Sequence, residues 1–101
     1  EIIFWDNAST DESAAIAQSF DGRLKYHKSA ENCSLGQARN LALRHAKGKY
    51  IAFLDCDDLY LPDKLLQQLD FLEDHDYAMT YSSVVMIDEK GKEFRKSVIH
   101  F

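Results

Sequence analysis

Three carboxylates, Asp55, Asp57 and Asp58, follow an apolar run from Tyr50 to Leu54 within the stretch YIAFLDCDDLYLPDKL, residues 50–65. Like charges crowded together repel and raise one another's pKa, so the arrangement is costly unless a metal ion, a basic side chain or water receives it. A chain that stays extended through Asp55 and Asp57 puts both side chains on one side of the backbone and turns Cys56 away. Two carboxylates so placed can share a hard divalent cation. Mg²⁺ and similar ions are commonly held by one or two carboxylates, with substrate phosphates completing the shell. A nucleoside diphosphate would supply those phosphates, and the cation would act as a Lewis acid toward the leaving group. The plainer origin stays open: aspartates gather ahead of helices because they cap them and tolerate turn geometry. Asp58, and Asp63 just after Pro62, fit that plainer role best.

A second polar corner is Asp6-Asn7. The carboxamide of Asn7 carries both a donor and an acceptor, so it could pair with the edge of a pyrimidine base or close a local Asx-turn. Arg39 lies one turn inside an expected helix, where a guanidinium could grip a phosphate bidentately or simply face solvent. Cys33 and Cys56 match no zinc spacing and read as buried or incidental free thiols of a reducing compartment. His27, His45, His75 and His100 share no ligand spacing and read as solvated or packed.

The elements that must position these residues alternate. Residues 1–5, EIIFW, are short, β-branched and aromatic, as a buried strand requires. Ser9 with Glu12 fits a capping box ahead of a helix through Ala14–Ala17, with Gly22 expected in the left-handed conformation after it. Residues 23–27, RLKYH, alternate like an edge strand. Ser34 with Gln37 repeats the capping-box pattern and opens a helix striped by Leu35, Ala38 and Ala42, with a basic last turn from Arg44 to Lys47 before Gly48. Tyr50–Leu54 is the next expected strand. Pro62 then opens an amphipathic helix carrying Leu65, Leu66, Leu69 and Leu72. Tyr77–Tyr81 and Val84–Ile87 read as strand, Gly91 as the centre of a hairpin turn, and Phe94–Ile99 as the returning strand.

This βαβαβαβ order predicts an α/β fold, with helices on a mostly parallel sheet closed by a hairpin. In such sheets ligands bind beyond the carboxyl ends of strands, which is where both acidic corners fall. At 101 residues the chain makes one domain or part of one, with enough apolar content (46%) to expect a real core,. Such a domain is stable by roughly 5–15 kcal/mol. A net charge of −5, with no Lys/Arg run longer than two, argues against a nucleic-acid partner,. Apolar runs of about five residues are far short of a membrane span of about twenty. The chain opens inside an apolar run, so a preceding segment is expected.

Together and in this order, these residues resemble family 2 glycosyltransferases, inverting enzymes that use nucleotide sugars on the Rossmann-like, three-layer GT-A fold. EIIFWDNASTDES is similar to that family's second strand and its V-D-[DN]-x-S-x-D turn. NCSLGQARNLALRHAKGKYIAFLDCDD is similar to its G-x-A-R-N helix and D-x-D turn. LYLPDKLLQQLDFL and YAMTYSS are similar to the helix and strand that follow.

The resemblance implies that Asp6 and Asn7 line the nucleobase pocket, that Asp55 lies by the ribose and metal, and that Asp57 ligates Mn²⁺ or Mg²⁺ on the diphosphate. Arg39 is implied on the nucleotide side. It further implies that residues 1–101 form a single, partial glycosyltransferase domain, the nucleotide-sugar-binding piece. The first strand and the acceptor half, with its general base, are expected elsewhere, so this piece alone is expected to be inactive. The implied partners are a nucleotide diphosphate sugar and a saccharide or lipid-linked acceptor. The setting is bacterial cell-envelope or exopolysaccharide synthesis in the cytoplasm, compatible with peripheral association of the parent protein at the inner face of the membrane. Two alternatives stand beside it. A nucleotidyltransferase of similar fold would show a Gly-rich, basic phosphate loop near its first strand. A receiver domain would set an acidic doublet on its first strand, one Asp on its third and a Lys on its fifth. A non-catalytic binding module of the same fold stays open because the general base is expected outside this chain.

Overall fold

The structure is a computed structural model that describes residues 1–97. The chain divides into two compact units, Glu1–Phe53 and a second from Leu54 onward. In the first, β1 (Ile2–Asp6) and β2 (Leu24–Lys28) form a parallel pair, joined through α1 (Ser13–Gln18) and followed by α2 (Leu35–Leu43). A parallel pair needs a crossover, which a helix supplies. The register sets Phe4 beside Tyr26, Trp5 beside His27 and Asp6 beside Lys28. One face therefore carries the stacked rings of Phe4 and Tyr26, with centroids 6.1 Å apart. On the other, Trp5 lies 6.3 Å from His27 and 6.0 Å from His45, and the two imidazoles stack at 3.8 Å.

The core is thinner than composition promised. Among the described residues only Ala17 and Ala38 are buried apolar side chains, while Leu35 stays 60% exposed. Two strands and two short helices present small facing surfaces, and alanine is the side chain that lets a helix sit close on such a sheet.

The helix starts divide. Ser34 caps α2 as its spacing foretold, its hydroxyl accepting the Gln37 N–H at 3.4 Å. Ser9 caps nothing. α1 begins at Ser13 after Glu12, and Asp11 takes the Ser13 N–H at 3.0 Å, a local acceptor at the positive end of the helix,. Gly22 does not take the left-handed conformation; Ala8, Asp76 and Gly91 do. α2 ends at Leu43, and its basic continuation is a run of tight turn bonds, Arg44 to Leu41 and His45 to Ala42.

In the second unit α3 (Lys64–His75) starts two residues after Pro62 and ends on left-handed Asp76. Around its last turn Phe71 and His75 gather their rings with that of Tyr77 within 5.5 Å of one another. β3 (Val84–Ile87) and β4 (Glu93–Ser97) form the expected antiparallel hairpin, turned at Gly91 with φ 77° and shifted in register between Met86 and Ile87. The expected continuation of β4 through Ile99, and His100, lie outside the described residues.

Two expected strands, Tyr50–Leu54 and Tyr77–Tyr81, enter no ladder among the described residues. Apolar, β-branched sequence prepares an extended segment, but a strand exists only where a second backbone lies about 4.8 Å away.

Candidate functional site

At the carboxyl end of β1 the chain leaves the sheet through Asp6, Asn7, Ala8 and Ser9. Asp6 is buried, with its side chain 0% exposed, and is the one buried charged residue among those described. Its Oδ1 accepts the Ser9 N–H at 2.7 Å, its Oδ2 accepts a short hydrogen bond from the Tyr26 hydroxyl, and the Lys28 ammonium stands 3.7 Å from that oxygen. The Tyr26 bond, helped by Ser9 and Lys28 against the cost of burial, holds the Asp6 carboxyl down at about 2. The same bond pushes the Tyr26 phenol up to about 12, since its proton is what the carboxylate holds,.

This clasp takes the Ser9 N–H that a capping box would give to Glu12, and it closes the turn,. Ala8 inside that turn has φ 63°, a conformation that costs a non-glycine residue about 1 kcal/mol,. Ala8→Gly is therefore expected to raise stability by up to about 1 kcal/mol in urea unfolding. A loss of stability would show that the turn is not held in this conformation.

Asn7 is engaged in the same detail. Its Nδ2 donates to the Cys33 carbonyl at 2.7 Å, and its Oδ1 accepts the Cys33 N–H at 3.1 Å and the thiol at 3.1 Å. Asn32 Nδ2 donates to the Asn7 carbonyl at 3.0 Å. The carboxamide thus ties the loop of residues 29–34 to the end of β1. Arg39, on α2, lays its guanidinium over the Phe53 ring at 5.5 Å.

The acidic turn belongs to the second unit. The chain does not run extended through it: the Asp58 N–H donates to the Asp55 carbonyl at 3.1 Å, closing a four-residue turn with Cys56 and Asp57 at its corner. A turn has no two-residue alternation, so the expectation that Cys56 points away from the carboxylates fails. Cys56 is exposed and shares a cavity of about 480 Å³ with Asp57, Asp58 and Leu59. Ile87, Asp88, Glu89 and Gly91 of the hairpin complete its lining. Asp88 orders that hairpin by accepting the N–H groups of Lys90 and Lys92, each at 2.9 Å. The turn's negative field is felt nearby: burial, then the Asp58 and Asp55 carboxylates, raise the Tyr60 phenol.

Among the described residues no three of His, Cys, Asp or Glu come together as a ready-made metal cage. Asp57, Asp58, Asp88 and Glu89 nonetheless bring hard, solvent-open carboxylates to the cavity lining, beside the Cys56 thiol. Such a set suits Mg²⁺ or Mn²⁺ held by one or two aspartates, with phosphate and water supplying the remaining ligands.

Of the residues singled out in the sequence, Asp6 and Asn7 share one turn and Asp55 and Asp57 another, while Arg39 stands on α2. Of the partners that hold Asp6 and Asn7, Tyr26 was not singled out and Cys33 only as a buried or incidental thiol. The only trace of Tyr26 was its parity in RLKYH, which places it on one face with Leu24 and Lys28. Which residue of β1 it would meet depends on the register.

Comparison with known proteins matches residues 1–100 to the model of Glycosyl transferase family 2. An uncharacterized glycosyltransferase of Rickettsia conorii is 46% identical over 96 residues, covering 91% of this chain and 15% of the relative. An uncharacterized glycosyltransferase of Methanocaldococcus jannaschii is 36% identical over 107 aligned positions, 99% of this chain and 37% of the relative. A Bacillus subtilis protein, TuaG, provisionally named a teichuronic acid biosynthesis glycosyltransferase, is 35% identical over 101 positions, 97% of this chain and 40% of the relative. The chain thus spans well under half the length of these relatives. No solved structure matches significantly.

Proposed function

We propose, for a chain that belongs to glycosyl transferase family 2, that it is the nucleotide-sugar-binding part of an inverting, metal-dependent glycosyltransferase with the GT-A fold. The observation that carries this reading is Asp57 at the corner of a turn, lining a cavity of about 480 Å³, inside the span that matches the family. Both compact units belong, on this reading, to one partial domain covering residues 1–101.

The residues divide the work. Asp57, with Asp55, would hold Mn²⁺ or Mg²⁺, which when bound supplies positive charge to a nucleoside diphosphate as it leaves. The turn from Asp6 to Ser9 shapes the base and ribose end, with Asn7 tying it to the loop of residues 29–34 through Cys33. Arg39 is placed on the nucleotide side, where a guanidinium can pair with phosphate. In the reaction an acceptor hydroxyl forms a new bond to the sugar's anomeric carbon, and the bond from that carbon to the diphosphate oxygen breaks. The proton of the hydroxyl passes to a base assigned to no residue of this chain.

The acceptor is a saccharide or lipid-linked saccharide of a bacterial envelope or exopolysaccharide, a setting supported by the name of the Bacillus subtilis relative. We place the parent protein on the cytoplasmic side, in peripheral contact with the membrane. Among the described residues no helix is long and apolar enough to cross one.

Calorimetric titration of the full-length protein with UDP, dTDP and GDP, each with and without Mn²⁺, tests the reading. Binding of one of the three that requires the metal is the expected result. Binding indifferent to metal, or none at all, would overturn it.

A further inference from the structure

Asp6 has no surface to offer a ligand. Its side chain is 0% exposed, and its two oxygens are taken by Ser9, Tyr26 and Lys28, all from this chain. What it does is mechanical. By accepting the Ser9 N–H it bends β1's exit into a turn that keeps Ala8 left-handed and directs Asn7 toward the loop of residues 29–34. The carboxylate in turn is held by a single close side chain, the Tyr26 hydroxyl from β2, since Lys28 stands off at 3.7 Å.

We propose that Tyr26 is a positioning residue of the nucleotide site, fixing Asp6 as an internal strut for the turn through which Asn7 braces the loop of residues 29–34, so that Asp6 itself never touches the nucleotide. The assignment rests on the nucleotide-binding reading above. Other charges around Asp6 are few. β2 contributes Lys28; Asp11 precedes α1 and feels the Asp6 charge; α1 carries no charged residue; α2 carries only Arg39, which lies over Phe53. Removing the phenol therefore leaves a buried carboxylate with one backbone N–H and a distant ammonium. It then takes up a proton at higher pH, and the turn loosens as it does.

The test compares the full-length wild-type protein with Tyr26→Phe, Asp6→Asn and the double variant, measuring UDP affinity in the presence of Mn²⁺ as pH is lowered. Circular dichroism confirms that each variant is folded. Tyr26→Phe is expected to weaken UDP about tenfold near neutral pH, the loss of roughly one hydrogen bond's worth of positioning. It is also expected to move the acid limb of binding upward by about one pH unit. Asp6→Asn, which keeps an oxygen for Ser9 and an amide for Tyr26 but has no carboxyl proton to take up, should show no displaced acid limb. The double variant should lose the displaced acid limb.

A uniform weakening in Tyr26→Phe with no change in the pH profile would reduce Tyr26 to a merely structural residue. Abolished binding in Asp6→Asn, with Tyr26→Phe unaffected, would make Asp6 a direct ligand. Either result overturns the proposal. If the wild-type protein binds none of UDP, dTDP and GDP, the nucleotide reading has failed, which is a distinct outcome from either.

Discussion

Replacing Asp57 with alanine in the full-length protein is expected to abolish metal-dependent nucleotide binding and to lower sugar transfer by about 10²–10⁴-fold. The estimate takes charge stabilisation by a bound dication as several kcal/mol, with about 1.4 kcal/mol for each factor of ten. Asp57 stands at the corner of the turn closed by Asp55 and Asp58 and lines the cavity beside it. An aspartate in that position adds little to folding, because it is exposed. Thermal stability should therefore be unchanged within about 0.5 kcal/mol while activity collapses. Asp58→Asn is the control, expected to alter transfer by less than about tenfold, since Asp58 is assigned to the turn's local geometry. Raising Mn²⁺ should rescue Asp57→Asn partly and Asp57→Ala hardly at all, because the amide still offers one oxygen. If Asp57→Ala keeps wild-type transfer at saturating nucleotide sugar, the metal assignment at this turn is wrong.

The second large effect concerns folding. Asp6→Ala should destabilise the protein by about 2–4 kcal/mol, because it leaves the Tyr26 hydroxyl, the Ser9 N–H and the Lys28 ammonium without their shared acceptor,. The same carboxylate gives stability a dependence on acid. Its pKa is lowered from 3.8 to about 2 by the Tyr26 bond first and then Ser9 and Lys28. A group whose folded value is depressed contributes stability that is present above its unfolded value and lost as pH falls through the folded one. The window is therefore from about pH 4 down to about pH 2, and roughly 1–2 kcal/mol should go across it after allowance for solvent screening. Glu1, Asp11 and Asp21 are lowered too, by Lys25, Ser13 and Arg23 respectively, yet all three are exposed and should add little. Urea unfolding of wild type and Asp6→Asn in that range separates them: the wild-type slope should flatten in the variant. An unchanged slope would mean that the buried carboxylate is not what acid attacks. At the alkaline end the phenol works the other way, its contribution intact below about 10 and lost as pH rises through about 12,.

How much of this was legible in the chain varies by element. The hairpin was plain, because a glycine at the turn and alternating strands are local signals: Val84–Ile87 forms as expected, and Gly91 takes the positive φ that few other residues accept,. The Ser34 cap was plain for the same reason, as donor and acceptor lie three residues apart. The family was also legible: the resemblance carried from EIIFWDNASTDES onward agrees with a family match over residues 1–100. The failures share a cause. Ser9 and Glu12 had the spacing of a cap, but a carboxylate at the end of β1 reached the Ser9 N–H first. Tyr50–Leu54 had strand composition, yet composition supplies no neighbouring backbone.

The sequence by itself therefore determined which residue types lie at which distance along the chain: two acidic corners, each behind an apolar run, in an order that marks the family. Only the tertiary structure decided what each carboxylate does. Parallel pairing of β1 with β2 brings Tyr26 and Lys28, some twenty residues away in sequence, onto Asp6 and seals it from solvent. No such register reaches the acidic turn, so Asp57 is left lining an open cavity. The reason is physical: a side chain's charge belongs to its residue, but its solvation and hydrogen-bond partners belong to whatever the fold sets beside it, and those decide whether an aspartate is sealed into a turn or left open to solvent.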